Sequence, residues 1–384
     1  MASEAMRSAD AADVADRQSL ADTGGAARRR ESANAAAGSG VDIEVRGLYK
    51  IFGPNATRHV EDVKAGMSKQ ELQERHGHVL GLKDINLSMP AGSIQVVMGL
   101  SGSGKSTLIR HVNRLIDPTV GEVIVGGDDV CRMGKKALRD FRRHKTAMVF
   151  QKFALLPHRT VLKNVVYGLE IQGVERDRQE SEARRWIERV GLAGFEDNYP
   201  NQLSGGMQQR VGLARALTND APLLLMDEAF SALDPLIRTD MQTVLLDLQQ
   251  ELHKTIVFIT HDLDEALRLG DRIAILRDGE IIQEGTGQDI VLDPADEYIQ
   301  NFVKEVNRGR VILVESVMEP GPHAAAETEV GRGMQLESAA RVMSGAGASV
   351  ANVTDEEGDV IGHVAMDATV AAMVAEDHRH TPTA

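Results

Sequence analysis

The stretch Gly99-Leu100-Ser101-Gly102-Ser103-Gly104-Lys105-Ser106 fits the spacing G-x-x-x-x-G-K-[ST] in full. Glycine at these positions lets backbone N–H groups turn inward around phosphate oxygens with no Cβ in the way. Lys105 brings a mobile positive charge to the β- and γ-phosphates, and Ser106 offers a hydroxyl to Mg²⁺. A buried-looking run, Ser93–Met98, precedes the loop, and a helix-like stretch, Thr107–Leu115, follows it. The helix N-terminus adds its own partial positive charge. Residues Gly99–Thr107 therefore read as a strand–loop–helix unit of an α/β domain, built to hold phosphate and Mg²⁺.

Such a loop is shared by kinases, GTPases, helicases and transport ATPases, and a second element narrows the choice. Leu223–Met226 is an apolar run that ends in Asp227-Glu228, the form of a Walker B strand. Asp227 is placed to hold Mg²⁺ through water, and Glu228 to orient or deprotonate the attacking water. Between the two lies Leu203-Ser204-Gly205-Gly206-Met207-Gln208-Gln209-Arg210, ahead of the helix-like Val211–Leu217. A serine and two glycines at a helix start make another anion site, with free N–H groups and a favourable dipole.

The surrounding pattern is that of an α/β sheet. Leu223–Met226 and Ile256–Ile259 are short and apolar, as expected of parallel strands buried on both faces. Ile273–Leu276, Asp278-Gly279 and Ile281–Gln283 predict a hairpin. Residues of about 157–221 show amphipathic helical stretches such as Arg178–Val190 and no convincing strand, which predicts a helical insertion. Alternation at Val41–Val45 suggests an edge strand. Val60–His76 reads as a short insertion whose helix is capped by Ser68, with Glu71 three residues on. Residues 1–40 are Ala, Ser, Gly, Asp and Arg, too poor in large apolar groups to offset their entropy, and read as a disordered tail. After about Val311 the chain turns rich in Ala, Gly, Asp and Glu, and residues 311–376 read as a small separate βα module.

Composition removes several classes of function. A formal net charge of −14 disfavours a sequence-independent grip on nucleic acid, which needs Lys and Arg to displace counterions. Aromatics at 3%, with Trp186 the single tryptophan, leave little for base stacking. One cysteine, Cys131, cannot form an internal disulfide. No apolar run approaches the roughly 20 residues a membrane span requires. No Asn-Lys-x-Asp guanine motif follows the loop, and neither a second cassette nor a long coiled coil is present.

In order and content, the motifs of residues 41–306 resemble the ATP-binding cassette family: phosphate loop, Gln151, LSGGMQQR, Walker B, Ser231-Ala-Leu-Asp234 and His261. The resemblance implies a P-loop ATPase core with an antiparallel β subdomain and a helical insertion, using ATP and Mg²⁺. It further implies that Gln151 senses Mg²⁺ at the hinge to the insertion, and that His261 contacts the γ-phosphate. Phe52 is the aromatic expected to stack on adenine, with Tyr49 close by as a competitor. Cassettes of this family pair head to tail. Ser204, Gly205, Gly206, Gln208 and Asp234 are then the contacts one chain makes to ATP held on its partner's Gly99, Leu100, Ser101, Gly102, Ser103, Gly104, Lys105, Ser106 and Thr107. One phosphate loop per chain makes this an expected homodimer.

Four strings sharpen the resemblance to ATPase subunits of bacterial glycine betaine/proline betaine importers. They are Leu48-Tyr-Lys-Ile-Phe-Gly53, the insertion Val60–Gly77, Met148–Pro157, and Met226-Asp-Glu-Ala-Phe-Ser-Ala-Leu-Asp-Pro-Leu-Ile-Arg238. That branch implies a peripheral subunit on the cytoplasmic face of the cell membrane. It would sit beneath a transmembrane permease received at Phe153–His158, and would be served indirectly by an extracytoplasmic binding protein. An importer ATPase for another small solute, or a cassette ATPase outside transport, are the competing readings. Val317–Val374 resembles one cystathionine-β-synthase-like (CBS) regulatory module, a kind that normally pairs. Ala365 stands where many such modules place a hydroxyl.

Overall fold

In the computed structural model, residues 40–374 are described, apart from 152 and 232. The N-terminal tail, with Arg28–Arg30, and the terminal His378 and His380 lie outside the described residues. In chain order the strands are β1 (Ile43–Phe52), β2 (Val79–Met89), β3 (Ile94–Met98), β4 (Val120–Val125), β5 (Asp128–Asp129), β6 (Thr146–Phe150), β7 (Leu223–Asp227), β8 (Thr255–Thr260), β9 (Arg272–Arg277) and β10 (Glu280–Gly285).

They form two sheets. An antiparallel sheet runs β2-β1-β4-β5, and a six-stranded sheet runs β10-β9-β3-β8-β7-β6. In the second sheet β9, β3, β8, β7 and β6 are parallel, and β10 returns antiparallel to β9 as the expected hairpin. Every residue of β3, β7 and β8 is buried, which explains why these strands read as continuous apolar runs instead of alternating ones. Phe230 and Phe258 are fully buried and meet at 5.5 Å between ring centroids; truncating either to Ala would cost about 3–5 kcal/mol.

The first strand departs from the sequence expectation. It is not an edge strand ending near Val45, but a ten-residue strand paired on both sides, with β2 and with β4. The register shifts between Val45 and Leu48, where Gly47 takes φ +49°. This bulge breaks the period-two alternation and hides the strand's continuation.

The α-helices of the insertion after β1 are α1 (Val60–Lys64) and α2 (Lys69–His76). Ser68 and Glu71 form the expected capping box, with Glu71 N–H donating to Ser68 Oγ and Ser68 N–H to Glu71. Val60, Val63 and Leu72 are buried against Tyr49, Ile51 and Leu80 in a small core of their own. Helix α3 (Lys105–Val112) follows the phosphate loop, and α4 (Lys135–His144) precedes β6.

Between β6 and β7 come α5 (Val161–Val165), α6 (Tyr167–Gln172), α7 (Arg176–Arg189) and α8 (Gly205–Thr218), with no strand among the described residues of that span. Helix α9 (Pro235–Leu252) and helix α10 (Leu263–Leu269) follow β7 and β8, and α11 (Gly287–Leu292) and α12 (Glu297–Val303) close this part of the chain. Beyond them a separate sheet, in the order β11 (Glu319–Pro320), β14 (Val360–Ala365), β13 (Val350–Thr354), β12 (Thr328–Gly331), packs with α13 (Leu336–Gly345) and α14 (Met366–Val374). It buries its own core, including Val330, Leu336, Met343, Val353 and Val364.

Candidate nucleotide site

The phosphate loop leaves the carboxyl end of β3, with the ends of β8 and β7 beside it in the sheet, so three site segments converge on one edge. Gly99, Gly102 and Gly104 have φ of +151°, +82° and +110°. A Cβ on Gly99 would lie 2.2 Å from the Leu276 carbonyl oxygen, and one on Gly104 would lie 2.7 Å from that of Gly81. The loop is therefore clamped between the hairpin strand β9 and the antiparallel sheet. Gly279 ties the same junction together: its N–H donates to the Ser103 carbonyl at 2.9 Å, and its own carbonyl accepts from Lys83 N–H at 2.8 Å.

Two groups in the loop fit an anion. Lys105 is 4% exposed and its Nζ donates to the Leu100 carbonyl at 3.0 Å. Burial pulls the Lys105 ammonium below the usual lysine range, with Glu228 and then Asp227 pulling it back. The Ser103 hydroxyl is buried without a partner. A buried cation and an unpaired hydroxyl inside a glycine cradle match the needs of phosphate oxygens.

Ser106 Oγ donates to Asp227 Oδ1 at 2.8 Å, so the hydroxyl and carboxylate expected to share Mg²⁺ stand side by side. Arg110, which sequence reasoning passed over, also reaches Asp227, at 3.2 Å. Its place one turn along α3 was the only available signal.

Glu228 is the centre of a second cluster. Gln151 Nε2 donates to its Oε2 at 2.8 Å, Lys105 Nζ lies 3.8 Å from its Oε1, and His261 Nδ1 lies 3.9 Å from its Oε2. The Gln151 side-chain oxygen, the atom a cation would take, is left out of that bond. The backbone of Glu228 is left-handed at φ +46°, held by its N–H to the Ile259 carbonyl at 3.1 Å and by Ser231 Oγ to its own carbonyl at 2.9 Å. A non-glycine residue in this region carries roughly 1–3 kcal/mol of strain, which the neighbouring strand β8 sustains. The two adjacent acids have different partners, Ser106 and Arg110 at Asp227, Gln151 and His261 at Glu228.

Within the chain the signature residues are engaged locally, at the starts of two helices. Ser204 caps α8 by accepting from Met207 N–H at 3.3 Å, and Gln208 Nε2 donates to the Leu203 carbonyl. Asp234 caps α9 through Ile237 N–H at 3.1 Å. A Cβ on Gly206 would meet Ile237 at 2.8 Å, so the two helix starts touch.

Between the competing aromatics, Tyr49 is 7% exposed inside the insertion's core, whereas Phe52 is 38% exposed. Lys50 Nζ lies 4.9 Å from the Phe52 ring centroid, and a Cβ on Gly81, the residue beside the phosphate loop, would come within 2.7 Å of that ring.

Arg215, on α8, was not singled out by sequence. Its guanidinium donates to the carbonyls of Phe153 at 3.0 Å and Ala154 at 2.7 Å, both residues being left-handed at φ +50° and +48°. Burial pulls even this guanidinium below its ordinary range. Cys131 is partly buried, and burial pushes its thiol up, away from reactivity.

Comparison with known proteins identifies the family. The ABC transporter family pattern matches residues 82–231. The chain is 48% identical over 333 residues to the glycine betaine transport ATP-binding protein OpuAA of Bacillus subtilis, covering 86% of this chain and 78% of that protein. It is 43% identical over 336 residues to the glycine betaine/proline betaine transport system ATP-binding protein ProV of Escherichia coli, covering 88% and 84%. Among solved structures, the ATP-binding cassette MJ0796, dimeric and bound to ADP and Pi after hydrolysis, superposes with a TM-score of 0.55 at 32% identity. That match covers 64% of this chain and 98% of MJ0796. With the cradle, the paired acids and these relatives in agreement, this chain belongs to the ABC transporter family, as one of its ATP-binding, ATP-hydrolysing subunits.

Proposed function

We propose that this chain powers the import of a quaternary amine, glycine betaine or proline betaine, through a membrane permease, working as a head-to-tail homodimer. The observation that carries the reading is the likeness, over most of the chain, to subunits named for glycine betaine transport. Substrate choice would rest with the permease and binding protein, since a quaternary ammonium is held by aromatic cages.

Lys105 and the loop N–H groups would hold the β- and γ-phosphates, and Phe52 would stack on adenine. Ser106, Asp227 and Gln151 would hold Mg²⁺, which supplies charge neutralisation between the phosphates. Glu228 would take the proton of the attacking water. His261 and Gln151, both at its carboxylate, would orient it toward the γ-phosphate. Ser204, Gly205, Gly206, Gln208 and Asp234 of the partner would close the site. The contact between Gly206 and Ile237 supports this, because it presents the two helix starts together. The partly buried Phe153 and Leu155 and the exposed His158 would receive the permease. Residues 41–306 would then form the ATPase unit, with a helical subdomain of about 157–221, and 311–376 a regulatory module of CBS type.

No helix among the described residues is long and apolar enough to cross a membrane. By its likeness to importer subunits, the chain would sit as a peripheral subunit on the cytoplasmic face. Reconstituting it with its permease and binding protein in liposomes tests the reading. ATP hydrolysis should rise several-fold with glycine betaine and accompany its uptake. Stimulation by an unrelated solute alone would replace the substrate and leave the ATPase intact.

A further inference from the structure

The insertion between β1 and β2 carries a group of side chains that nucleotide chemistry does not use. His59, Asp62 and His76 each offer one ligand atom, and these atoms all lie within 4.8 Å of one another. His59 stands immediately before α1, Asp62 in its first turn, and His76 at the last position of α2. His59 Nδ1 is buried without a hydrogen-bond partner and lies 3.6 Å from Asp62 Oδ2. The His59 and His76 rings stand 4.3 Å apart between centroids. An unpaired buried ring nitrogen facing a carboxylate beside a second imidazole is poorly explained by packing alone.

We propose that His59, Asp62 and His76 bind a divalent transition-metal ion of the Zn²⁺ class. Metal–nitrogen and metal–oxygen distances near 2.1 Å give a tetrahedral edge of about 3.4 Å. The His59–Asp62 separation is already close to that edge. The widest separation closes by small rotations of Asp62 and His76, which are exposed. Two imidazoles and one carboxylate suit Zn²⁺, Co²⁺ or Ni²⁺, whereas Mg²⁺ demands a shell of oxygens. The fourth position falls to water.

His78 completes the setting without joining it. Its Nδ1 and Nε2 face the carbonyls of His76 at 2.7 Å and Pro54 at 2.8 Å, and its ring meets His59 edge-on at 4.6 Å. The ion would clip the start of α1 to the end of α2, a small insertion that otherwise relies on Val60, Val63 and Leu72 for its core.

The test is calorimetric titration of Zn²⁺ into the full chain, stripped with chelator and held in excess Mg²⁺, alongside His76→Gln and Asp62→Asn. One Zn²⁺ per chain is expected, with affinity falling at least about tenfold in each variant. Both substitutions are at exposed positions, and circular dichroism verifies that the variants remain folded. Co²⁺ should produce the visible absorption of a tetrahedral site, abolished by His76→Gln. Unchanged Zn²⁺ affinity and stoichiometry in both variants would place the ion elsewhere and overturn the assignment. So would the absence of binding at micromolar Zn²⁺.

Discussion

Arg215 donates to the backbone carbonyl of Phe153 at 3.0 Å, joining the helix that begins at the signature glycines to the segment proposed to meet the permease. Its second bond, to the Ala154 carbonyl, fixes two consecutive left-handed residues that have no glycine to relieve them. The fork geometry of a guanidinium suits this pair of acceptors, and a lysine ammonium does not reproduce it. Arg215→Lys should leave basal ATP hydrolysis within a few-fold of wild type and lose most of its stimulation by transported solute. Arg215→Ala should also destabilise the chain by about 1.5–3 kcal/mol. Undiminished stimulation in Arg215→Lys would remove this residue from the coupling path.

Glu228→Gln should retain ATP, lose turnover by at least about a hundredfold, and accumulate as a dimer. The amide keeps the size of the carboxylate but accepts no proton from water. Hydrolysis at the wild-type rate would transfer the role of base to another group.

Gly104→Ala places a methyl 2.7 Å from the Gly81 carbonyl at φ +110°, where both the space and the backbone refuse it. ATP affinity should fall at least about tenfold, with a lowered Tm. Fluorescent-nucleotide titration and thermal melting check the two effects separately, and normal affinity would show that the junction yields.

Chains carrying Ser204→Arg and chains carrying Lys105→Ala should each be inactive alone. A mixture restores one intact composite site per mixed dimer, with Lys105 from one chain and Ser204 from the other. Activity should therefore reappear on mixing, below that of wild type. A mixture as inactive as its components, or one equal to wild type, would count against head-to-tail pairing.

Burial pushes the Glu265 carboxyl above its ordinary value of 4.5, with hydrogen bonds from Thr260 and Gln242 opposing that shift. The folded chain then holds this proton to higher pH than the unfolded chain does. The stability it contributes is complete below pH 4.5 and is lost as pH rises through the folded pKa. Glu265→Gln should remove that decline, read as a flatter Tm-against-pH curve over the weakly acidic range. Superimposable curves would mean the carboxylate is solvated.

The legible parts of the sequence were those where one local rule governs. The glycine spacing around Lys105 and the wholly buried strands at 223–227 and 255–260 needed no partner to be read. The Ser68–Glu71 capping box was equally local. What escaped depends on contacts between distant segments. Gly47 looks like any glycine until it shifts the pairing of β1, and Arg215 is one arginine on a helix until the chain at 153–154 folds back to it. The choice between Tyr49 and Phe52 likewise turns on which ring the insertion buries, a matter of tertiary packing.

The Gly279 junction has a consequence for how nucleotide occupancy would be felt across the chain. Its N–H is engaged with the phosphate loop, and its carbonyl with Lys83 of the antiparallel sheet. Quieting the loop at Ser103 slows the opening of both bonds together. A hydrogen–deuterium exchange footprint of ATP should thus be discontinuous in sequence, protecting the amides of Gly279 and Lys83 in concert although neither belongs to the phosphate loop.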